Sequence, residues 1–179
     1  MTLNIQNLRF SYQAHNVLNL SPVSFEQGKI YGIVGRNGVG KTTFFKTLTN
    51  IITNYSGSIE IDGKNIKENP KVLTSVGIVL DDMELYKNYS GWFNLRYFGG
   101  LRGNFDEERT RILAKELNIY DNLNEKVSGY SLGMNKKLIL LISLMSDANI
   151  LIFDEPFRGL DKKTVEWFKH YLLHLKTEG

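Results

Sequence analysis

The sequence predicts an α/β fold that carries an antiparallel β subdomain and a helical subdomain, and three observations lead to this class. Short apolar runs, typical of buried strands, alternate along the chain with segments of helical periodicity. Two segments near the N-terminus instead alternate apolar and polar residues, which indicates antiparallel strands. One mostly helical block, from about residue 82 to residue 145, interrupts the strand–helix series.

The composition narrows the class of protein. The 179 residues include 22 Lys and Arg against 19 Asp and Glu, a net charge of +3, without a dense basic stretch, so we expect no nucleic-acid partner. Cysteine is absent, which excludes disulfides and thiolate metal sites. The run "LILLISLM" is far shorter than the roughly 20 residues of a membrane span, and the N-terminus lacks a signal-peptide pattern. We therefore expect an intracellular protein.

The first half of the chain predicts strands and one helix. "LNIQNLRFSY" and "VLNLSPVSFEQG" indicate an antiparallel pair of strands. "KIYGIVG" indicates a buried strand, and the glycine-rich loop after it leads into a helix over "KTTFFKTLTNII". "GSIEIDGKNI" alternates around Asp62 and Gly63, which is the signature of a β-hairpin.

The second half predicts two more buried strands among helices. "VGIVL" and "NILIF" are the strands, and "GWFNLRYFGGLRG", "DEERTRILAKELNI" and "LGMNKKLILLISLM" are helical. Asp106, Glu107 and Glu108 open the second of these helices, where acidic residues favour the positive end of the helix dipole. The tail is an amphipathic helix whose apolar stripe is Val165, Phe168, Leu172 and Leu175.

The strongest motif is "GRNGVGKT", which fits G-x-x-x-x-G-K-[ST] and lies between a predicted strand and a predicted helix. Such a loop curls its backbone N–H groups around phosphates at a helix N-terminus. Lys41 is placed for the β- and γ-phosphates, Thr42 for Mg²⁺ and Thr43 for a further phosphate oxygen. A glycine-rich turn that happens to precede a lysine is the alternative. The predicted nucleotide-contacting residues are Gly35, Arg36, Asn37, Gly38, Val39, Gly40, Lys41, Thr42 and Thr43.

A second motif, "ILIFDE", places two carboxylates at the end of a predicted strand, where ligands gather in open α/β sheets. Asp154 is expected to hold Mg²⁺ and Glu155 to orient or deprotonate the attacking water. The alternative is that the two acids cap the turn that follows. A third segment, "YSLGMNKKL", offers Ser131 as a helix N-cap and Gly133 as exposed backbone at a helix start. Ordinary capping and a second anion site are both open for it.

These segments, in this order, resemble the nucleotide-binding domain of ABC transporters. The resemblance runs from about Leu3 to the last residue and rests on "GRNGVGKTT", "YSLGM" in the place of the signature sequence, "ILIFDEP" and "GLD". It implies a P-loop NTPase core and a single domain over residues 1–179, with the signature-bearing helical subdomain at about 82–145. The spelling "YSLGM" is similar to that of multidrug, bacitracin and lantibiotic exporters.

The resemblance also implies residue roles and partners. Tyr12 aligns with the aromatic residue that stacks on adenine, with Phe10 as a competitor. Ser131 and Gly133 would contact the γ-phosphate of ATP bound to a second nucleotide-binding domain in a head-to-tail dimer. Glu155 would be the catalytic base, with Lys41 on the phosphates, and Asp161 would touch the partner domain. The helical subdomain would contact a membrane permease, so the subunit would be cytoplasmic and peripheral on the inner face of the cell membrane.

Two departures from the family pattern bear on mechanism. The family's usual glutamine falls on Asp81, where a carboxylate can still ligate Mg²⁺. A solvated turn made of Asp81 and Asp82 is the alternative. The family also continues with a strand and a γ-phosphate histidine, and we expect both to be missing from this chain, in which "LKTEG" stands where that strand should begin. His170 and His174 do not match that histidine, and we expect them to be surface or packing residues.

Three hypotheses for the function follow. The first is an ATP-binding and ATP-hydrolysing subunit, with Mg²⁺ as cofactor, that powers export through a separate permease. The second is a truncated module that binds ATP and hydrolyses little or none of it, because of the missing histidine. The third is a small P-loop kinase, which would need an arginine-rich lid that the helical block does not supply.

Overall fold

The computed structural model describes residues 1–13, 15–101, 103, 105–145 and 148–178. These residues form two compact units. The first comprises Met1–Val76 with His174–Gly179, and the second comprises Gly77–Leu173. The second unit contains the predicted helical block and extends beyond it at both ends, so that it also carries strand residues.

A five-stranded antiparallel sheet dominates the first unit. Strand β1 lies at its centre and pairs with β2, β3 and β4, while β5 pairs with β4. The segment "VLNLSPVSFEQG" is thus two strands, separated around Pro22, which has no N–H to donate to a ladder. The bounds are β1 (Thr2–Tyr12), β2 (His15–Asn19), β3 (Val23–Glu26), β4 (Ser56–Ile61) and β5 (Lys64–Asn65), and a short 3₁₀ turn follows at Pro70–Ser75.

An irregularity in β1 keeps its apolar side chains on one face. Leu3 and Ile5 are buried, and so are Leu8 and Phe10, although these two pairs are out of step in a strict two-residue alternation. The pairing with β4 shifts register between Gln6 and Arg9, and Asn7 has a φ of 49°. The extra residue of this bulge therefore resets the alternation toward the core.

The predicted hairpin at Asp62–Gly63 is confirmed. Ile61 pairs with Lys64 across the two turn residues, whose φ angles are 49° and 74°. Two positive φ values in a two-residue loop define the turn type that Asp-Gly favours. The Asp62 carboxylate also accepts a hydrogen bond from the Thr2 N–H at 2.8 Å, which ties the turn to the start of β1.

One predicted strand of the first unit is wrong. "KIYGIVG" (29–35) has no regular secondary structure, and the described strands form their ladders elsewhere. Val34 is 97% exposed, and Ile30 and Ile33 are also exposed. An apolar, β-branched run becomes a strand only when a neighbouring strand pairs with it, and sequence periodicity does not report that neighbour. Helix α1 (Lys41–Leu48) follows, shorter than predicted.

In its described residues, the second unit combines four helices with a two-stranded sheet, at the helical and strand segments that the sequence predicts. Ser90, Asp106 and Ser131 each accept a hydrogen bond at the N-terminus of their helix. The elements are β6 (Val76–Val79), α2 (Gly91–Gly100), α3 (Glu107–Glu116), α4 (Leu132–Leu144), β7 (Ile150–Phe153) and α5 (Lys162–Glu178), with 3₁₀ turns at Tyr120–Asn122 and Val127–Gly129. β6 begins in the first unit and α5 ends in it.

Helix α4 forms the centre of the core of the second unit. Its residues from Leu138 to Leu144 are all buried, which is expected of a helix apolar on every side. The stripe predicted on α5 is confirmed, since Phe168 is fully buried and Val165, Leu172 and Leu175 are partly buried. The rings of Phe153, from β7, and Phe168 meet edge to face at 5.1 Å.

Candidate functional site

The glycine-rich loop ahead of α1 has the backbone of a phosphate loop. Gly38 and Gly40 have φ angles of 79° and 104°, in the left-handed region that favours glycine. A Cβ on Gly40 would lie 3.0 Å from Val17 Cγ1 and 3.1 Å from the Val17 carbonyl oxygen, so a larger residue would be both strained and crowded there. The Gly40 carbonyl accepts the first helical hydrogen bond, from the Phe44 N–H, at 2.8 Å. The loop therefore enters the helix through a turn that only glycine makes without strain.

Lys41 lies across this loop. Its ammonium group donates to the carbonyl oxygens of Gly35, at 2.8 Å, and Arg36, at 3.2 Å. Thr42 and Thr43 are half-buried in the first turn of α1, while the loop from Gly35 to Val39 is exposed. A positive side chain, a helix N-terminus and accessible backbone N–H groups together form an anion-binding site.

The two aromatic candidates for base stacking differ in exposure. Phe10 is 3% exposed and belongs to the core of the first unit, whereas Tyr12, at the end of β1, is 54% exposed. Their rings meet edge to face with centroids 4.7 Å apart. Tyr12 is therefore accessible to a ligand, and Phe10 is not.

The carboxylates of "DEP" lie at the end of β7, as predicted. Asp154 is only 2% exposed, and its N–H donates to the Val79 carbonyl of the neighbouring strand β6 at 2.8 Å. Glu155 is exposed and has a φ of 47°, an uncommon conformation for a residue with a side chain. The Arg158 N–H donates to the Glu155 carbonyl at 3.2 Å and closes the turn. Strained residues of this kind concentrate at functional sites.

The signature-like segment forms the N-terminus of α4. The Ser131 hydroxyl accepts from the Met134 N–H at 3.2 Å, which confirms the predicted N-cap. A Cβ on Gly133 would lie 3.2 Å from the Gly159 carbonyl, and one on Gly159 would lie 3.2 Å from Leu132 Cδ2. Leu132 is 73% exposed. The glycines thus allow the "GLD" loop to pack closely on the helix start, which remains accessible.

Asp161 is fixed by three hydrogen bonds. It accepts from the Thr164 N–H at 2.9 Å and the Thr164 hydroxyl at 2.8 Å, and Lys137 Nζ lies 3.1 Å away. The Thr164 N–H is the largest cause of a lowered Asp161 pKa, followed by the Thr164 hydroxyl and Lys137. Asp161 therefore caps α5 and connects it to α4.

Asp81 and Asp82 are exposed and lie in a turn, as the alternative above predicted, and the Asp81 carboxylate is in addition held by two cations. Lys136 Nζ lies 3.3 Å from Oδ1, and Arg158 Nη1 lies 2.6 Å from Oδ2. Sequence reasoning missed both cations, as well as Lys137 opposite Asp161. The sequence did contain a signal for these cations: the charged residues stand inside otherwise apolar or glycine-containing motifs, the lysines in "NKKL" and the arginine in "FRGL".

A groove of about 310 Å³ borders this ion-pair cluster. Its lining is part apolar and part charged: Asp81, Met83, Glu84, Leu85, Lys87, Leu132, Asn135, Lys136, Ile139 and Arg158. Beside it in sequence, α2 and the turn before it carry four exposed aromatic residues that contact one another: Tyr86, Tyr89, Phe93 and Tyr97. Exposed apolar surface of this kind is typical of protein interaction sites.

Two features bear on metals and membranes. No helix in the described ranges has the length and apolarity to cross a bilayer. Within the same residues, no group of three or more His, Asp and Glu side chains forms a metal cage. The buried Asp154 carboxylate of the second unit and the Thr42 hydroxyl of the first unit are each oxygen donors of the kind that Mg²⁺ takes together with substrate phosphates. His170 and His174 are exposed on α5, as expected.

The fold and the phosphate loop define an α/β protein of the P-loop NTPase class. A solved structure of an ATP-binding subunit of an ABC transporter matches with a TM-score of 0.90 at 23% identity, over 100% of this chain and 76% of that one. The family model for "ABC transporter" matches residues 18–158. The chain belongs to the ABC transporter family.

Two curated relatives illustrate the similarity in sequence. The lantibiotic transport ATP-binding protein SrtF of Streptococcus pyogenes is 32% identical over 177 residues, 99% of this chain and 76% of that protein. The bacitracin transport ATP-binding protein BcrA of Enterococcus faecalis is 32% identical over 178 residues, 99% of this chain and 58% of that protein. Both relatives confirm the similarity to lantibiotic and bacitracin transport proteins that "YSLGM" indicated.

Proposed function

We propose that the chain is the ATP-binding and ATP-hydrolysing subunit of an ABC exporter and works on a separate membrane permease. The observation that carries the proposal is the phosphate loop, in which left-handed Gly40 leads into α1 and Lys41 lies across the loop carbonyls. The triphosphate would be held by the residues from Gly35 to Thr43. The adenine would stack on Tyr12, whose exposed ring supports that role over Phe10.

Mg²⁺ would be held by Thr42 and Asp154 together with phosphate oxygens. Asp81, also predicted for this ion, would contribute through the carboxylate lone pairs that Lys136 and Arg158 leave free. When bound, the ion neutralises charge on the phosphates. Glu155 would act as the base toward the attacking water, a role supported by its exposure and its strained backbone at the end of β7. Lys41 would stabilise charge that develops on the transferred phosphate.

The second partner would be another nucleotide-binding domain. Ser131 and Gly133 lie at the accessible N-terminus of a 13-residue helix, which supports anion binding there. We propose that they contact the γ-phosphate of ATP on the opposite subunit and that the "GLD" loop, with Asp161, faces that subunit. In this arrangement each ATP lies between two domains.

The permease would dock on the groove of the second unit. The apolar lining from Leu85 and Ile139 suits a short amphipathic segment, and the aromatic residues of α2 extend the contact area. Such a subunit works on the cytoplasmic side of the membrane, against its inner face. A role in transport is supported by SrtF and BcrA, which are named for lantibiotic and bacitracin transport, and export is the direction that we propose.

Titration of the full chain with Mg²⁺-ATP, followed by turnover with its permease, tests the proposal. Lys41→Ala should weaken ATP binding by about 10- to 100-fold, as expected for loss of a hydrogen bond to a charged group. Lys64→Ala, an exposed lysine on β5, is the matched control and should leave binding unchanged. Equal ATP affinity of wild type and Lys41→Ala would reject the nucleotide site.

ATP binding without turnover is the second candidate function, and the same experiment detects it. Tight, Lys41-dependent binding with no hydrolysis in the presence of the permease would identify an ATP-binding module. Steady hydrolysis that depends on Glu155 would reject that alternative.

A further inference from the structure

We infer that Lys136 and Arg158 are positioning residues, which hold the Asp81 carboxylate from two sides and thereby fix the turn that carries Glu155. The inference rests on the proposed function, because it assumes that Glu155 acts on ATP. Asp81 follows β6, Lys136 lies on α4 and Arg158 lies in the loop after β7. Three separate segments of the second unit therefore meet at one carboxylate.

The Lys136 side of this arrangement is buried. Lys136 is 6% exposed, and its ammonium group lies 3.3 Å from Asp81 Oδ1. A buried ammonium that loses its counter-charge is destabilising, so a negative charge at position 81 stabilises Lys136 in this place. A glutamine, the family's usual residue at this position, would not supply that charge. The carboxylate at position 81 and the lysine on α4 therefore form one functional pair.

The Arg158 side connects the carboxylate to the proposed base. The guanidinium Nη1 of Arg158 lies 2.6 Å from Asp81 Oδ2. The backbone N–H of Arg158 donates to the Glu155 carbonyl at 3.2 Å. Glu155 keeps its uncommon φ of 47° only if its surroundings restrain it. Arg158 contacts both the turn of Glu155 and Asp81, and Asp81 contacts Lys136 on α4. The position of the Glu155 turn therefore depends on the position of α4 through these contacts.

A thermal denaturation cycle tests whether the pair exists. Asp81→Asn should lower the Tm of the full chain by about 3–6 °C, because it leaves Lys136 buried and unpaired. Adding Lys136→Met should restore part of that loss, so that the double variant melts above Asp81→Asn alone. The exposed pair Glu84–Lys87, at 3.5 Å, is the matched control. Glu84→Gln and Lys87→Met should combine additively. Additive losses for Asp81→Asn and Lys136→Met would overturn the inference.

ATP turnover with the permease tests positioning. Arg158→Gln should lower kcat by about 3- to 10-fold and leave the KM for ATP within about twofold, because a displaced base slows chemistry more than binding. Arg158→Lys, which keeps the charge, should recover more than half of the wild-type kcat. If Arg158 contributed only to folding, Arg158→Gln would change the Tm without lowering kcat at an almost unchanged KM.

Glu155→Gln separates the two ways in which the inference can fail. If Glu155→Gln abolishes turnover and Arg158→Gln does not change kcat, the positioning role is overturned and the proposed function stands. If Glu155→Gln turns over like wild type, the proposed base is wrong and the positioning role fails with it. If the wild type hydrolyses no ATP, the hydrolysis proposal and the positioning role both fail, and the melting cycle decides only whether the ion pair exists.

Discussion

The phosphate loop of the first unit and the carboxylates of the second unit are built in different ways. In the phosphate loop, left-handed glycines and a lysine that contacts backbone carbonyls set the geometry. In the second unit, Asp81 and Asp161 each pair with a lysine of α4, Asp81 also pairs with Arg158, and Asp161 also accepts from the Thr164 N–H and hydroxyl. The first site is therefore shaped by backbone conformation, and the second by pairing of charges.

This difference determines which substitutions are harmful. A backbone-defined loop should be sensitive to an added Cβ, because the positive φ angles of its glycines are strained for a residue with a side chain. A charge-defined cluster should be sensitive to neutral substitutions of nearly the same size, because they leave a partner unpaired. Four predictions, in order of decreasing effect, test this contrast.

The largest effect is expected at Glu155, where a charge acts on the reaction itself. Glu155→Gln should lower kcat by about 10²- to 10⁴-fold, the contribution of a general base, while ATP affinity stays within about twofold. Steady-state ATPase with the permease and nucleotide titration measure the two quantities. Glu166→Gln, an exposed residue of α5 paired with Lys169, is the matched control. Wild-type turnover by Glu155→Gln would contradict the assigned role.

The second effect is expected at Gly40, where backbone conformation dominates. Gly40→Ala should destabilise the observed loop conformation by about 1–2 kcal/mol because of its positive φ, and by more because of the contact with Val17. Since this conformation is the one proposed to bind ATP, ATP affinity should fall by at least about 10-fold. Gly100→Ala is the control, because Gly100 ends α2 without a positive φ and an added Cβ there meets nothing within 4 Å. That variant should be as stable as wild type or slightly more stable. An equal loss for both variants would refute the backbone account of the loop.

The third effect is expected at Asp161, where charge supports a helix N-terminus. Asp161→Ala should lower the unfolding free energy by about 1–2 kcal/mol at pH 7. The folded-state pKa of Asp161 lies below its ordinary value, chiefly because the Thr164 N–H donates to it. Its contribution is thus complete above the unfolded pKa of about 4 and is lost as the pH falls toward the folded value.

Melting curves between pH 7 and pH 3 test this dependence. The Tm difference between wild type and Asp161→Ala should shrink as the pH falls below about 4. Asp106→Ala, which removes the N-cap of α3, is the control at pH 7. It should lower the unfolding free energy by less than Asp161→Ala does, because Asp161 has Lys137 as an additional partner. A Tm difference that stays constant down to pH 3 would contradict the charge-based account.

Local patterns in the sequence predicted much of this architecture. Apolar runs located β6, β7 and the core of α4, and Asp62–Gly63 and Ser131 were predicted from turn and cap chemistry alone. Each of these features depends on a few neighbouring residues, whose periodicity or side-chain hydrogen bonding is visible in the chain itself. The phosphate loop belongs to the same group, because its motif is contiguous.

Features that depend on distant residues were not predictable in this way. Asp81 pairs with Lys136 and Arg158 across 55 and 77 positions of sequence, and no local period reports such a pair. The run at 29–35 failed in the opposite way: its strong β propensity predicted a strand, but a strand also needs a distant partner, and the run has no regular secondary structure. The bulge at Asn7 was also missed, because it follows from fitting β1 to β4.

The smallest effect is expected at Tyr12, which tests whether an exposed side chain of the first unit contributes to binding beyond the backbone loop. Tyr12→Ala should weaken ATP binding by about 2- to 10-fold, the contribution of one aromatic contact, and Tyr12→Phe should keep the affinity. Inorganic triphosphate has no base, so its affinity should not change in either variant. Phe10→Leu should lower stability without changing ATP affinity, because Phe10 is buried. An equal loss of ATP and triphosphate affinity in Tyr12→Ala would show that Tyr12 acts through the loop, and adenine stacking would be rejected.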